Sequence, residues 1–261
     1  MKKIVKIYCE GKAGSSDFDV ISKIIDGLPV IVNPIGGKRG AKSAIQVYEN
    51  GTSKSDFKLF FRDRDFDIPI PDTEILTNDS SYVYFSYRTT IENYLIDFNL
   101  LNNYSDGKSW SSSNLKFNYY EAAKQIKYFQ AMRHTLGKLR VSTDFGTNIV
   151  ENSGILPEKL SRDYCFEKGY DKIHQSILKT DAWNKESYET QFDFFVNLFS
   201  NDFIESDQFL IYFQGKDYMK SLSNLIPGFS SKDYFKYSIA NFDYTKFKDL
   251  MELRNIIKNE I

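Results

Sequence analysis

The first hundred residues alternate between short apolar runs and stretches whose apolar side chains recur at helical spacing. The runs are rich in β-branched and aromatic residues and are bounded by turn-forming residues, which is typical of strands. The predicted strands cover residues 4–9, 29–33, 58–61 and 81–87. Helical spacing predicts helices at 18–26 and 41–48, and a further helix that begins after residue 89. Because strands alternate with helices, we expect an α/β fold with a mostly parallel sheet and right-handed crossovers.

Beyond residue 100 the pattern is mostly helical. Helical spacing recurs at 119–140 and 171–178, and a stripe of phenylalanines at 192–203 is expected to pack in a core or at a subunit contact. An apolar run at 208–213 predicts a strand that returns to the first sheet. Residues 242–257 predict a terminal amphipathic helix.

These patterns together predict a sheet domain that is interrupted by a large helical insertion. The first part of the sheet domain covers residues 1–99, and the helical insertion covers 100–205. The return strand and the C-terminal helices cover 206–261. The predicted fold class is therefore α/β, with helices flanking a mostly parallel sheet.

Composition narrows the function classes only slightly. The chain has 34 Lys+Arg against 35 Asp+Glu, so a net charge of −1 provides no overall field for a polyanion. Two cysteines without a CxxC spacing, a charged N-terminus and no long apolar run predict a protein of the reducing cytosol without a membrane span. His134 and His174 have no partner at zinc-ligand spacing, and we expect both to be ordinary surface or core residues.

Basic residues are concentrated in one helical stretch after residue 115. They are Lys116, Lys124, Lys127, Arg133, Lys138 and Arg140. Such a basic face either contacts phosphates of a nucleic acid or is simply solvated.

Acidic residues follow directly after several of the predicted strands. The run FKLFFRDRDFD places Asp63, Asp65 and Asp67 at alternate positions, which share one face in an extended chain. Glu10 follows the first predicted strand, and Glu92 lies shortly after the fourth. Since parallel strands bring their carboxyl ends to one edge of a sheet, we expect these acids to meet there. Carboxylate oxygens in such a cluster favour a divalent cation.

Each of these features also has a purely structural interpretation. The acids after Arg62 could lie in a polar loop, either in water or paired with Arg62 and Arg64. Glu92 stands three residues after Thr89, which is the spacing of a helix capping box. The Gly-rich turn at 36–40 could bind a phosphate through backbone N–H groups, but it lacks the spacing of a P-loop and also suits a plain surface turn.

The order of these motifs resembles that of TOPRIM domains, the catalytic modules of topoisomerases, primases and OLD-type nucleases. The shared pattern is Glu-Gly-Lys after a first strand, here at 10–12, and Asp-x-Asp after a third strand, here at 63–65. The segment RTTIENYL at 88–95 resembles the R-x-x-IENYL segment of an OLD-like TOPRIM family found in bacterial anti-phage defence, which includes the effector subunit of the PARIS system. The late Gly-Lys at 215–216 resembles the downstream lysine of that family.

This resemblance covers residues 1–98 and 206–230 and implies a metal-dependent nuclease, in which carboxylates hold one or two Mg²⁺ or Mn²⁺ ions against a phosphodiester. Asp63 and Asp65 would ligate the metal, and Glu10 would ligate it or act as general base. Glu92 would serve a second metal, and Lys216 would stabilise the phosphate charge. The roles of two further residues are less specific, because Asp67 suits an outer-shell ligand or a loop cap and Arg88 suits an orienting partner for the acids. The implied metal ligands are Glu10, Asp63, Asp65 and Glu92, and the implied catalytic residues are these four with Lys216.

The resemblance also implies partners and leaves an alternative function. The TOPRIM protein of that family is paired with an ABC-type ATPase, and its PARIS members act on tRNA, so we expect an ATPase subunit, RNA or DNA, and a homodimeric active form. The alternative is a catalytically silent regulatory subunit that acts through contacts with the ATPase. A topoisomerase or primase fits less well, because the acid loop lacks the small residues that many of those enzymes carry.

Overall fold

The computed structural model describes the greater part of the chain, which falls into two compact units. Backbone is described for residues 4–51, 57–66, 68–105, 108–143, 152–175 and 184–261, and side chains for all of these except 38–39, 139–143 and 174–175. The first unit comprises Met1–Arg64, Ile70–Leu95 and Phe235–Ile261, and the second comprises Asp65–Pro69 and Ile96–Tyr234. Within the described residues, no helix is long and apolar enough to cross a membrane.

The described part of the first unit contains a five-stranded sheet with the order β2-β1-β3-β5-β4. Its strands are β1 Val5–Cys9, β2 Val30–Pro34, β3 Phe57–Arg62, β4 Thr77–Ser80 and β5 Val83–Phe85. β1 pairs in parallel with β2 and β3, and β3 pairs in parallel with β5, whereas β4 is antiparallel to β5. The predicted α/β fold with a mostly parallel sheet flanked by helices is therefore confirmed.

Several helices begin at a capping residue whose side chain accepts a backbone hydrogen bond. Ser15, for example, caps the first helix, where its Oγ accepts a hydrogen bond from the backbone N–H of Phe18. The α-helices are α1 Ser16–Ile24, α2 Lys38–Asn50, α3 Phe98–Tyr104, α4 Ser112–Thr143, α5 Arg162–Gln175, α6 Lys185–Leu198, α7 Asn201–Glu205, α8 Phe209–Tyr212, α9 Gly215–Leu225, α10 Ser231–Ala240 and α11 Lys248–Asn259. Short 3₁₀ helices cover Ile91–Leu95 and Tyr244–Lys246.

One face of the sheet forms the core of the first unit. The alternation in β1 places Val5, Ile7 and Cys9 on this buried face, which packs against α1 and α11. The amphipathic C-terminal helix is present as α11, and its buried apolar residues are Leu250, Leu253 and Ile257.

The region before and after the fourth predicted strand differs from the prediction. The strand predicted at 81–87 is shorter and forms β5, and residues predicted as loop form β4, which pairs with it as an antiparallel hairpin. The helix predicted after residue 89 is present only as the 3₁₀ helix Ile91–Leu95, and α3 is a separate helix that begins after the extended N-cap residue Asp97. β4 was missed because its sequence, TNDS, is polar and lacks the apolar alternation of a half-buried strand.

The described part of the second unit is helical, with α4 at its centre. α4 packs against α3, α5, α6, α7 and α9. Several of its side chains are completely buried, and Gly169 in α5 permits a close approach because a Cβ there would lie 2.7 Å from Met132 of α4. Residues 129–137 of α4 are all buried, including the polar Gln130, Arg133, His134 and Thr135, so the middle of the helix lies inside the unit and needs polar partners there.

The prediction of a return strand at 208–213 is wrong. These residues form α8, preceded by Asp207 in the left-handed region (φ 60°), and they belong to the second unit. The second unit therefore extends to Tyr234 instead of ending at 205. A short apolar run such as FLIYF does not distinguish a buried helix from a buried strand by periodicity, and tertiary packing decides between them.

Two further predictions concern the helical unit. The aromatic stripe packs in the core at Phe192 and Phe199, which are completely buried, while Phe194 is exposed. His134 is also a core residue, packed among aromatic rings with its Nε2 2.9 Å from the carbonyl oxygen of Tyr212. His174 lies outside the residues whose side chains are described.

The predicted basic face is wrong in part, because several of its residues bind polar partners within the unit. Arg133 is 2% exposed and forms an ion pair with Asp217 at 2.9 Å. Lys124 forms an ion pair with Glu205 at 2.9 Å, so part of its charge is already compensated. The interpretation of this stretch as a phosphate-binding surface loses support accordingly.

Candidate active site at the carboxyl edge of the sheet

Glu10 and Asp63 lie at the same edge of the sheet, as the sequence predicts. β1 and β3 are neighbours in parallel register, with Cys9 opposite Phe61. Glu10 directly follows β1, and Asp63 directly follows β3. Adjacent strands are about 4.8 Å apart, so the two acids emerge from neighbouring strand ends.

Asp63 also binds the segment that carries Glu92. Its Oδ1 accepts a hydrogen bond of 2.8 Å from the backbone N–H of Ile91, the first residue of the 3₁₀ helix. Glu92 is the next residue and is only 2% exposed. The acid loop after β3 and the IENYL segment are therefore joined by a direct contact, and Asp63 serves as the cap of that short helix.

Arg62, the last residue of β3, pairs with Glu10. Its Nε lies 2.6 Å from Oε1 of Glu10, and the two side chains are 19% and 11% exposed. The Arg62 guanidinium also lies over the ring of Phe85 in β5, with 5.3 Å between its Cζ and the ring centre. The structural interpretation offered Arg62 as a partner for the acids that follow it, whereas the ion pair found here joins Arg62 to Glu10 of the neighbouring strand end.

Arg64 has a different role from Arg62. It is 1% exposed, and it donates hydrogen bonds of 3.1 Å to the carbonyl oxygen of Tyr87 and to Oγ1 of Thr89. These bonds attach the end of β3 to the loop that precedes the IENYL helix. Thr89 thus accepts a bond from Arg64, and the side chain that caps Ile91 is Asp63.

The acids after β3 do not continue an extended strand. β3 ends at Arg62, and Asp65 has a φ of 47°, in the left-handed region that aspartate tolerates better than most residues. The prediction that alternate acids share one face of a strand is therefore wrong for Asp63 and Asp65. Asp65 belongs to the second unit, and Asp67 lies outside the described residues.

Buried hydrogen bonds from α11 hold the IENYL segment in place. Asp249 is completely buried, and its Oδ2 accepts hydrogen bonds from the hydroxyl of Tyr94 and from the backbone N–H of Tyr87. Arg88 donates a bond of 2.6 Å to the carbonyl oxygen of Asn93 and lies over the ring of Tyr94. Arg88 therefore orients the IENYL segment through its contacts with Asn93 and Tyr94.

Sequence analysis missed Asp249, although one signal was present. Asp249 stands four residues before Leu253 and eight before Ile257, so an acid occupies the apolar face of the terminal helix. Such a position predicts a buried carboxylate with specific hydrogen-bond donors.

The buried carboxyl of Asp249 predicts a pH dependence of stability. Burial is the largest influence and raises its pKa above the ordinary 3.8, although the bonds from Tyr94 and Tyr87 act in the opposite direction. The folded protein therefore binds the Asp249 proton more tightly than the unfolded chain does. Protonated Asp249 adds to the free energy of unfolding below pH 3.8, and this addition is lost as the pH rises through the raised pKa of Asp249. Chemical denaturation of wild type and Asp249→Asn across this range should show the wild type losing stability relative to the variant as pH rises. An identical pH dependence for the two proteins would contradict this expectation.

Cys9 and Asp17 lie close to the acidic edge. Cys9 is 1% exposed, and its pKa is raised to about 12 by burial first and then by the charges of Asp17 and Asp63. A thiol with this pKa does not supply a thiolate near neutral pH, so Cys9 is not a nucleophile. A Cβ at Gly11 would lie 1.9 Å from Oγ of Ser15 and 2.8 Å from Oδ2 of Asp17, so a larger residue here would displace these two side chains. Asp17, in the first turn of α1, is thus an additional acid near this edge.

The donors suit a divalent cation in their chemistry more than in their arrangement. Glu10, Asp63 and Glu92 provide the carboxylate oxygens that Mg²⁺ and Mn²⁺ prefer. Within the described residues, however, no group of three or more His, Cys, Asp and Glu side chains is arranged to hold a metal ion. Glu10 is engaged by Arg62 instead, so metal binding through Glu10 requires that this pair separates.

Lys216 is not at the end of a strand, contrary to the prediction. It is exposed in the first turn of α9, and its backbone N–H donates to Oε1 of Gln214, the N-cap residue of that helix. Lys216 follows the helix α8 and the N-cap residue of α9, not a strand. Strand direction therefore does not place it at the sheet edge. Its role as a phosphate-stabilising cation stays a prediction from the resemblance.

Comparison with known proteins adds no family. No protein-family model matches the chain, and a search of curated proteins finds no match. The functional interpretation therefore depends on the motifs and on the geometry described above.

Proposed function

We propose that the chain is a TOPRIM-like, metal-dependent nuclease that hydrolyses phosphodiester bonds in RNA, such as tRNA, or in DNA. The observation that carries this proposal is the hydrogen bond from the Ile91 N–H to Asp63. It joins the Asp-x-Asp loop to the IENYL segment at the edge where Glu10 follows β1. Acids from three distant parts of the sequence thus occur in one unit, in the order that the TOPRIM resemblance requires.

The proposed metal ligands are Glu10, Asp63 and Glu92, all of the first unit. When bound, Mg²⁺ or Mn²⁺ would neutralise charge on the phosphate and activate water. The protein contributes orientation, because Asp63 is held by the Ile91 N–H and the helix that carries Glu92 is anchored by Asp249. Well-supported side chains of this kind are what a catalytic site needs.

The biological role that we propose follows from the IENYL resemblance. The chain would be the effector of a bacterial anti-phage defence system, would act in the cytoplasm with an ABC-type ATPase subunit, and would be active as a homodimer. Lys216 would assist in this setting as a cation for the developing phosphate charge.

One observation favours a second candidate function. Glu10 is paired with Arg62 and so already has a partner within the chain, which is compatible with a silent regulatory subunit of an ATPase complex. In that case the acidic edge is structural, and the chain acts through protein contacts.

Nuclease assays with the purified chain distinguish these candidates. We expect cleavage of tRNA, single-stranded RNA or DNA in Mg²⁺ or Mn²⁺, and none in EDTA. Asp233→Asn, which alters an exposed acid of α10 in the second unit, should cleave like wild type. Absence of metal-dependent cleavage of all these substrates would contradict the nuclease and favour the regulatory subunit.

A further inference from the structure

Glu10 forms an ion pair with Arg62, the last residue of the neighbouring strand β3. The distance of 2.6 Å between Arg62 Nε and Glu10 Oε1 is that of a short, charge-assisted hydrogen bond. Both side chains are mostly buried, so solvent and salt screen this pair less than a surface pair. The pair is therefore a strong local interaction with which any other cation at Oε1 of Glu10 must compete.

The position of Arg62 is set by its neighbours in the sheet. Arg62 is the last residue of β3, and Phe85 lies opposite it in β5. The ring of Phe85 is 4% exposed and supports the guanidinium at 5.3 Å, within the range of a cation–π contact. This support keeps the guanidinium beside Glu10. A flexible arginine on the surface, by contrast, would spend much of its time in water.

From this arrangement we infer that Arg62 is an internal counter-cation that occupies the carboxylate of Glu10 until a divalent ion displaces it. The inference rests on the proposed function and adds regulation of the same site. It also explains why the acids do not form a ready metal centre among the described residues. Arg62 is 19% exposed, so the guanidinium has a route into solvent when the pair separates.

This role makes metal binding compete with an ion pair. A charge-assisted hydrogen bond of this kind contributes enough that its removal changes a competing equilibrium by about tenfold or more. Loss of the Arg62 charge should consequently tighten metal binding. If Arg62 had only a structural role, its removal would loosen the site and weaken metal binding.

The experiment measures Mn²⁺ binding by isothermal titration calorimetry for wild type, Arg62→Gln and Arg162→Gln. Arg162 is a matched control in the second unit, because it forms an Arg–Asp pair with Asp193 at 2.5 Å. We expect Arg62→Gln to bind Mn²⁺ about tenfold more tightly than wild type, and Arg162→Gln to bind like wild type. Mn²⁺ should also raise the melting temperature of Arg62→Gln more than that of wild type.

Unchanged or weaker Mn²⁺ binding in Arg62→Gln would overturn the inference. If Arg62→Gln does not fold, Arg62→Met keeps the apolar stem over Phe85 and removes the charge, and the same tightening is required of it. Nuclease assays on the same preparations separate this inference from the proposed function. Tighter metal binding without cleavage would defeat only the nuclease, and cleavage without tighter binding would defeat only the role of Arg62.

Discussion

Asp217→Ala should lower the free energy of unfolding by about 3–5 kcal/mol, because it leaves the charge of Arg133 buried without its carboxylate. Asp217 is completely buried and lies 2.9 Å from Nε of Arg133. Its two oxygens also accept bonds from Gln130 Nε2 at 2.8 Å and from the Gly154 N–H at 2.7 Å. In the variant Gln130 and Gly154 lose their acceptor and Arg133 loses its counter-charge, and chemical denaturation measures the combined cost.

Asp193→Ala provides the matched control for this experiment. Asp193 also pairs with an arginine, Arg162, but the two side chains are 41% and 40% exposed. Exposed pairs contribute at most about 1 kcal/mol, so this variant should remain close to wild type in stability. Similar losses for Asp217→Ala and Asp193→Ala would show that burial of the first pair has no special cost.

Asp63→Asn should reduce metal-dependent cleavage by at least about a hundredfold while the protein stays folded, since metal stabilisation of transition-state charge is worth several kcal/mol. Asparagine retains an oxygen that can accept the bond from the Ile91 N–H, so the cap of the 3₁₀ helix is preserved. The charge that would bind the metal is lost. Activity is measured on the substrate that wild type cleaves best, and stability by thermal unfolding.

Asp63→Ala separates the chemical role of Asp63 from its structural role. This variant loses both the charge and the cap, so it should be inactive and also less stable by about 1 kcal/mol. If Asp63→Asn retains full activity while Asp63→Ala loses it through instability, Asp63 is a helix cap and not a metal ligand.

The sequence predicted the acidic edge but not the contacts within it. Alternating apolar patterns placed Glu10 and Asp63 after parallel strands, and strand direction was enough to bring them to one edge. Several charged residues lie near Glu10, and only the tertiary structure shows that Arg62 is the one that pairs with it. The two residues are 52 positions apart, so no local sequence signal predicts the pair. The anchoring of Tyr94 by Asp249 likewise joins positions 155 apart.

The sequence by itself determined the elements whose periodicity is long or whose caps are explicit. These include α1 with its Ser15 cap, the parallel strands, and the apolar face of α11. Only the tertiary structure decided that FLIYF at 209–213 lies in the helical unit, that β3 ends before its acids, and that Asp63 caps Ile91. The physical reason is that short apolar runs and charged side chains have several local solutions of similar free energy, and packing against distant residues selects one of them.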